Sequence, residues 1–261
     1  MPRVRLFIDQ PFLASGAAIE ITGGQAHYLV DVMRIAVGGE VSVFNGNDGE
    51  WRACLSERAK KTCTLRLESC LRPQQTEPGP WLLFALLKRD CTDLVVQKAT
   101  ELGVERLLPI ITRHTGAHST NSARLRAIAL EAAEQCGRLT IPPVLPPAPL
   151  AGIAAAWPPE RRLLVMTPGN TGIPFRELQA TCLGARGTET DVAADLAPGI
   201  VIGPEGGLAT AELDELVALP FVTAVSLGPL VLRAETAAIA ALSCWQALAG
   251  GWAGQAAEGV R

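Results

Sequence analysis

No apolar run in the 261-residue chain approaches the roughly 20 residues that a membrane-spanning helix needs, and Met1-Pro2-Arg3-Val4-Arg5 leads into no signal-peptide core. The seven cysteines (54, 63, 70, 91, 136, 182 and 244) are odd in number and scattered, with no C-x-x-C among them. A disulfide framework is thereby disfavoured, and free thiols in a reducing, cytoplasmic compartment are expected. Histidine is scarce as well, at three residues. His114 and His118 have a metal-ligand spacing, but no carboxylate or cysteine between Thr112 and His118 completes a site, so no metal is expected. Neither G-x-G-x-x-G nor G-x-x-x-x-G-K-[ST] occurs, which argues against a nucleotide-phosphate cradle. There is no internal repeat. Excess positive charge is also missing: the formal net charge is −3.

That charge is unevenly spread. Residues 1–72 hold nine Lys+Arg against eight Asp+Glu, and basic residues cluster at Arg3 and Arg5, at Arg58, Lys60 and Lys61, and at Lys88 and Arg89. A local basic stripe can steer a phosphate backbone even on an acidic protein.

A hydrophobic content of 48% excludes a disordered chain and allows one large or two modest domains. In residues 1–72, short alternating segments are separated by turn signals. Val41–Phe44, a loop Asn45-Gly46-Asn47-Asp48-Gly49 and Trp51–Leu55 read as a β-hairpin, and Thr62–Leu67 as a further strand. A small barrel is expected. Residues 73–80, rich in proline, glycine and polar side chains, read as a linker. Strands at 81–87, 106–111, 162–166, 200–202 and 222–227 then alternate with helices at 91–102, 121–137 and 231–249, the pattern of a parallel sheet covered on both faces. This second domain is expected to span 81–251, leaving a tail at 252–261. Five prolines make 141–149 an extended loop.

Two glycine-proline motifs are the most informative feature. Gly203-Pro204-Glu205-Gly206-Gly207-Leu208 follows the apolar run Ile200-Val201-Ile202. Ser226-Leu227-Gly228-Pro229 continues as Leu230-Val231-Leu232-Arg233-Ala234-Glu235-Thr236-Ala237. In each, a β-branched run stops at a turn where glycine permits angles closed to other residues, and a helix-like segment follows, with Thr210 a candidate cap for the first. Two such junctions on neighbouring parallel strands would form one crevice, where ligands of open α/β sheets tend to bind.

These motifs resemble those of the small-subunit (16S) ribosomal RNA uridine-N3 methyltransferases of the SPOUT class. The resemblance extends to Val96-Gln97-Lys98-Ala99-Thr100-Glu101-Leu102-Gly103-Val104, to Ile128–Arg138, and to His27-Tyr28-Leu29 through Val32-Met33-Arg34 with Gly38-Gly39 and Phe44-Asn45-Gly46. It implies an α/β fold: an N-terminal PUA-like β-barrel followed by a SPOUT domain whose parallel sheet carries a trefoil knot. It further implies S-adenosyl-L-methionine as cofactor, 16S ribosomal RNA or the small ribosomal subunit as substrate, and a homodimer.

Mapped onto this chain, the cofactor would lie among Met166, Thr167 and Pro168, Ile202, Gly203, Pro204 and Gly207, and Ser226, Leu227, Gly228, Val231 and Leu232. Arg233 is the first choice for stabilising negative charge as uracil N3 loses its proton. Glu205 and Glu235 are candidates either to accept that proton or to orient Arg233. Arg138 would face the site from the dimer partner. RNA would meet Arg3, Arg5, Arg34, Arg58, Lys60, Lys61, Lys88, Arg89 and Arg113. His27 reads as structural.

The chain departs from the family pattern at Leu230, where a basic residue is usual, and at Ala234, where threonine is usual. It departs again at Arg89 and Cys91, where glycine and a basic residue are usual. These departures keep two alternatives open: an RNA-binding module without catalysis, and a SPOUT methyltransferase acting on another RNA such as transfer RNA.

Overall fold

The computed structural model describes residues 4–117, 119–178 and 197–253. Arg3, His118, Cys182 and residues 254–261 of the expected tail lie outside the described residues. The chain divides into two compact units, residues 1–77 with 130–141, and residues 78–129 with 142–261. The first unit thus takes in a later segment that composition alone assigned to the second.

The first unit is built on a five-stranded sheet. Its strands are β1 (Arg5–Phe7), β2 (Ala18–Thr22), β3 (Glu40–Phe44), β4 (Glu50–Arg58) and β5 (Thr62–Arg72), in the order β1-β3-β4-β5-β2. β1 and β3 run parallel and the other pairs antiparallel. Register shifts at three points along β4 and β5 break their pairing, and such bulges bend and twist a strand pair. The strands curl round a core of Ile19, Ile21, Leu29, Val41, Val43, Leu55, Leu65 and Leu67. β2 shows why: in Ala18-Ile19-Glu20-Ile21-Thr22 only the isoleucines are buried, a two-residue period with one face inward. A short helix α1 (Gly23–His27) and a π-helical turn over Tyr28–Val32 follow β2. His27 is no core residue. Its ring Nδ1 meets Asp31 Oδ2 at 2.9 Å on the surface.

Arg5 departs furthest from its expected role. Its guanidinium turns inward, with Nε donating to Glu50 Oε1 at 2.9 Å, Nη1 to the Ala133 carbonyl at 2.8 Å and Nη2 to the Arg138 carbonyl at 2.6 Å. It also lies 4.1 Å over the Phe44 ring. So many structural contacts leave Arg5 no phosphate to bind; it ties the strands to residues 130–141. Glu50 is buried at the centre, accepting from the Ser42 hydroxyl and from Arg72 Nε at 2.7 Å as well. Glu77 plays a similar part at the end of the unit, accepting from Leu139 N–H at 3.0 Å, Thr140 N–H at 3.2 Å and Arg138 Nε at 3.4 Å.

The second unit is a seven-stranded parallel sheet. It comprises β6 (Trp81–Ala85), β7 (Arg106–Ile111), β8 (Ala148–Pro149), β9 (Leu163–Thr167), β10 (Ile173–Pro174), β11 (Gly199–Ile202) and β12 (Val222–Ser226), in the order β10-β12-β9-β11-β6-β7-β8. β6, β9 and β11 are almost wholly buried, as expected of continuous apolar runs covered on both faces. The helices are α2 (Arg89–Glu101), α3 (Ser122–Cys136), α4 (Leu150–Ala155), α5 (Thr210–Val217) and α6 (Ala234–Leu248). α3 begins in this unit, and from Leu130 its residues group with the first. In the proline-rich stretch the chain does not stay a bare loop: Ile110 and Ile111 of β7 pair with Ala148 and Pro149. Proline is tolerated there because β8 is an edge strand. α5 starts at Thr210 with Ala209 as its cap, so Thr210 is not the cap; instead the Glu212 carboxylate accepts the Ala209 N–H at 3.0 Å. α6 starts only at Ala234, three residues later than its apolar character suggested.

Burial pushes the carboxyl groups of Glu50 and Glu77 up, but their hydrogen-bond donors and arginines outweigh it. Both end below the ordinary value of 4.5. A carboxyl depressed on folding contributes stability that is complete above its unfolded value and is lost as pH falls through its folded one. Glu134, pushed up by burial, works in the opposite sense. The first unit is therefore expected to lose stability below about pH 4.5. Glu50→Ala, which strands two arginines, should cost about 3 kcal/mol at pH 7 and leave a shallower acid slope in denaturant melts. Equal acid slopes for parent and variant would contradict this role.

Candidate active site

Register brings the loops together. Ser226 of β12 pairs with Thr167 of β9, Val201 of β11 with Val165 of β9, and Ile202 of β11 with Phe84 of β6. The strands therefore end at nearly one height, and the loops after β9, β11 and β12 leave the same edge of the sheet. Between them lies a cleft of about 490 Å³, within the roughly 300–1,000 Å³ usual for small-molecule sites.

Of the sequence-predicted cofactor residues, Met166, Thr167, Pro168, Ile202, Gly203, Pro204, Gly207, Leu227, Gly228, Val231 and Leu232 line the cleft. Ser226 does not. It is buried behind the loop, where its hydroxyl donates to the Gly169 carbonyl and accepts the Gly228 N–H at 3.1 Å. Thr167 works alike, with its hydroxyl donating to the Thr171 carbonyl and lying 3.1 Å from the Val225 carbonyl. These two hydroxyls staple the loops after β9 and β12 to each other.

The glycine loop is closed by a turn in which Gly207 N–H donates to the Pro204 carbonyl at 2.8 Å. A Cβ on Gly203 would stand 3.3 Å from the Leu208 nitrogen, so a side chain there pushes on the turn. Gly228 has φ +118°, a conformation that strains any other residue. From the other side, His114 Nδ1 meets the Gly207 carbonyl at 3.1 Å, and Arg113 N–H donates to Glu212 Oε1 at 2.9 Å.

Lining residues that the sequence reading missed are Thr171, Gly206, Leu208, Thr210, Leu213, Leu230, Ala234 and Ala237. Ala234 and Ala237 were legible in principle, because residues three apart on a helix share a face. Leu208 ends the first motif, and its inward turn follows from Gly207 at φ +72°.

The predicted chemical groups are placed less uniformly. Glu205 lines the cleft. Arg233 is exposed, caps α6 and does not line it, although both its neighbours do. Glu235 does not line it either. Partial burial, then the charges of Glu235, Glu205 and Asp90, push up the thiol of Cys91, at the start of α2. Arg138 belongs to the first unit, where it is buried against Glu77 and Thr140. Arg34, Arg58, Lys60, Lys61, Lys88, Arg89 and Arg113 are all exposed. Arg34 carries φ +54° beside the exposed Val32, Met33 and Val37. Arg58 approaches Asp31 at 3.4 Å. Among the described residues no group of His, Cys, Asp and Glu is placed to hold a metal ion, and no helix is long and apolar enough to cross a membrane.

A parallel sheet ending in a stapled, glycine-lined cleft, preceded by a curled sheet, defines a known class. The family model of the RNA methyltransferase domain matches residues 77–246, and that of the RNA methyltransferase PUA domain matches residues 21–68. The chain belongs to this family of RNA methyltransferases, with an α/β SPOUT-type domain after a PUA-like one. Within the family it is similar to ribosomal RNA small subunit methyltransferase E. The Rickettsia conorii protein of that name is 31% identical over 240 residues, covering 92% of this chain and 93% of the relative. The crystal structure of the Neisseria gonorrhoeae protein of that name, bound to S-adenosyl methionine, superposes with a TM-score of 0.80 at 25% identity, over 94% of this chain and 97% of that one. A putative methyltransferase from Legionella pneumophila, in complex with the same cofactor, gives a TM-score of 0.81 at 27% identity over 95% and 98%.

The cleft fits S-adenosylmethionine in kind: apolar walls suit adenine, and loop backbone supplies groups for its edge. In calorimetry, Gly203→Val should weaken binding of S-adenosylhomocysteine at least tenfold while the protein stays folded. Undiminished binding by a folded variant would displace the cofactor from this cleft.

Proposed function

We propose that this protein transfers a methyl group from S-adenosyl-L-methionine to N3 of a uridine in small-subunit (16S) ribosomal RNA. The observation that carries this reading is the convergence of the three loops into one cleft, in a chain whose relatives are small-subunit methyltransferases along nearly their full length. When bound, the cofactor supplies an electrophilic methyl group on a sulfonium centre.

The protein's own contribution divides into holding and charge. Leu227, Val231 and Leu232 provide the apolar wall, and Gly203 and Gly228 allow close backbone approach. Uracil N3 is a weak acid, so its proton must leave, and negative charge spreads to the flanking carbonyl oxygens. Arg233, permanently charged and able to donate two parallel hydrogen bonds, stabilises that charge. Glu205, at the cleft, and Glu235, in the first turn of α6, are the groups to receive the proton or to orient Arg233.

RNA is met by the exposed cations Arg34, Arg58, Lys60, Lys61, Lys88, Arg89 and Arg113, in the cytoplasm where ribosomes are assembled. The active form is a homodimer. Leu230 and Val231, 74% and 79% exposed, offer apolar surface for a second copy. Ala238 and Ala241 take no part in that interface, being buried in their own chain.

Single-turnover methylation of unmodified small-subunit RNA at saturating cofactor tests the reading. Arg233→Ala should bind RNA and cofactor nearly as the parent does and lower the rate by a hundredfold or more, the scale for losing a positioned charge donor. A parent-like rate would reduce Arg233 to a helix-end cation. A parent protein that binds cofactor and RNA but transfers no methyl would favour the binding-module alternative, and transfer to transfer RNA alone would favour the other.

A further inference from the structure

A second cavity, of about 360 Å³, opens on the same edge of the sheet, between the segments that follow β6 and β7. β6 stands next to β11, and β7 next to β6, so the cavity lies along the sheet from the three-loop cleft within the second unit. Its wall combines the apolar Leu86, Leu87 and Ala117 with polar groups, several of them fixed in place. The Thr92 hydroxyl is held by the Leu87 N–H and carbonyl, both at 3.1 Å. Asn121 Oδ1 accepts the Arg124 N–H at 3.0 Å, and Arg124 is paired with Asp93, which locks α3 to α2 and neutralises that guanidinium. Arg89 differs: it lines the cavity, is exposed, and has no acidic partner among the described residues. Ser119 and Thr120 bring hydroxyl groups to the same cavity wall.

We propose that this cavity binds a backbone phosphate of the RNA substrate, with Arg89 as its counter-charge and the hydroxyls of Ser119 and Thr120 as further donors; this rests on the methyltransferase reading above. A guanidinium without an acidic partner and two hydroxyl groups lining one cavity match the oxygens of a phosphodiester, to which arginine donates in a fork. Position supports the same ligand. The segment after β7 contacts the glycine loop through His114 and reaches the cavity at Ser119 and Thr120, so one stretch of chain spans from cofactor cleft to phosphate site. A nucleotide clamped here by its backbone would present its base toward the cleft, and a protein of net charge −3 has reason to concentrate its cations at such a point.

The test is RNA binding by the full-length protein as a function of salt, using a small-subunit RNA fragment. Arg89→Ala should weaken binding about tenfold and make the slope of log K against log salt shallower by about 0.7–0.9, the release of one phosphate's counterions. Affinity for S-adenosylhomocysteine should not change. Arg89→Lys should restore most of the slope. Thr120→Trp, which fills the cavity and leaves the charge, should also weaken RNA binding. Parent-like affinity and slope in Arg89→Ala would overturn the proposal, as would an effect of Arg89→Ala without one of Thr120→Trp, which would make Arg89 a surface cation. Inorganic phosphate that binds in an Arg89-dependent way but is not displaced by RNA would overturn it too, by marking a free-anion site. Failure of the parent to methylate would count against the functional reading alone, because the RNA-binding arms do not depend on turnover.

Discussion

Four neighbouring strands, β12, β9, β11 and β6, set the geometry of everything at the cleft. β6, β9 and β11 are buried on both faces through most of their length, so a slip of one residue would carry apolar side chains out of the layers that cover them. Their pairing fixes Thr167 opposite Ser226 and aligns the last residues of β11 with those of β9 and β6. The loops consequently start from a common level, and two hydroxyls join those after β9 and β12. The strands supply rigidity, the glycines supply close approach, and the hydroxyls remove the remaining freedom.

The first unit follows different physics. It is organised round a buried carboxylate, Glu50, with Arg5, Arg72 and Ser42 converging on it. Arg5 and Arg72 also donate to carbonyls at the end of α3 and just after it, so that distant segment is bound to the strands by charge-assisted hydrogen bonds. A network of this kind is weak evidence for high stability, because desolvation offsets much of the attraction, but it specifies one arrangement of the segments it joins.

What the sequence revealed follows from this contrast. Strands buried on both faces read as unbroken apolar runs, and loops needing close approach read as glycine, so β6, β9, β11 and most of the cleft's lining were legible. Arg5 was not, because a buried arginine and an RNA-facing one are the same letter, and the partners that decide lie 45 to 133 residues away. β8 was hidden by prolines that an edge strand tolerates. The capture of residues 130–141 by the first unit had no local signal, since α3 is one continuous helix across the division. Arg233 and Glu235 were found by their motif, but whether their side chains reach the cleft depends on where α6 begins, and apolar character placed that start too early.

The central claim is that strand register builds the cofactor site from the loops after β9, β11 and β12. A crystal structure with S-adenosylmethionine tests it most directly. The account predicts adenine against Leu227, Val231 and Leu232, with the backbone at Gly203 and Gly228 close to the ligand. Ligand bound elsewhere, or none in this cleft at saturating concentration, would contradict it.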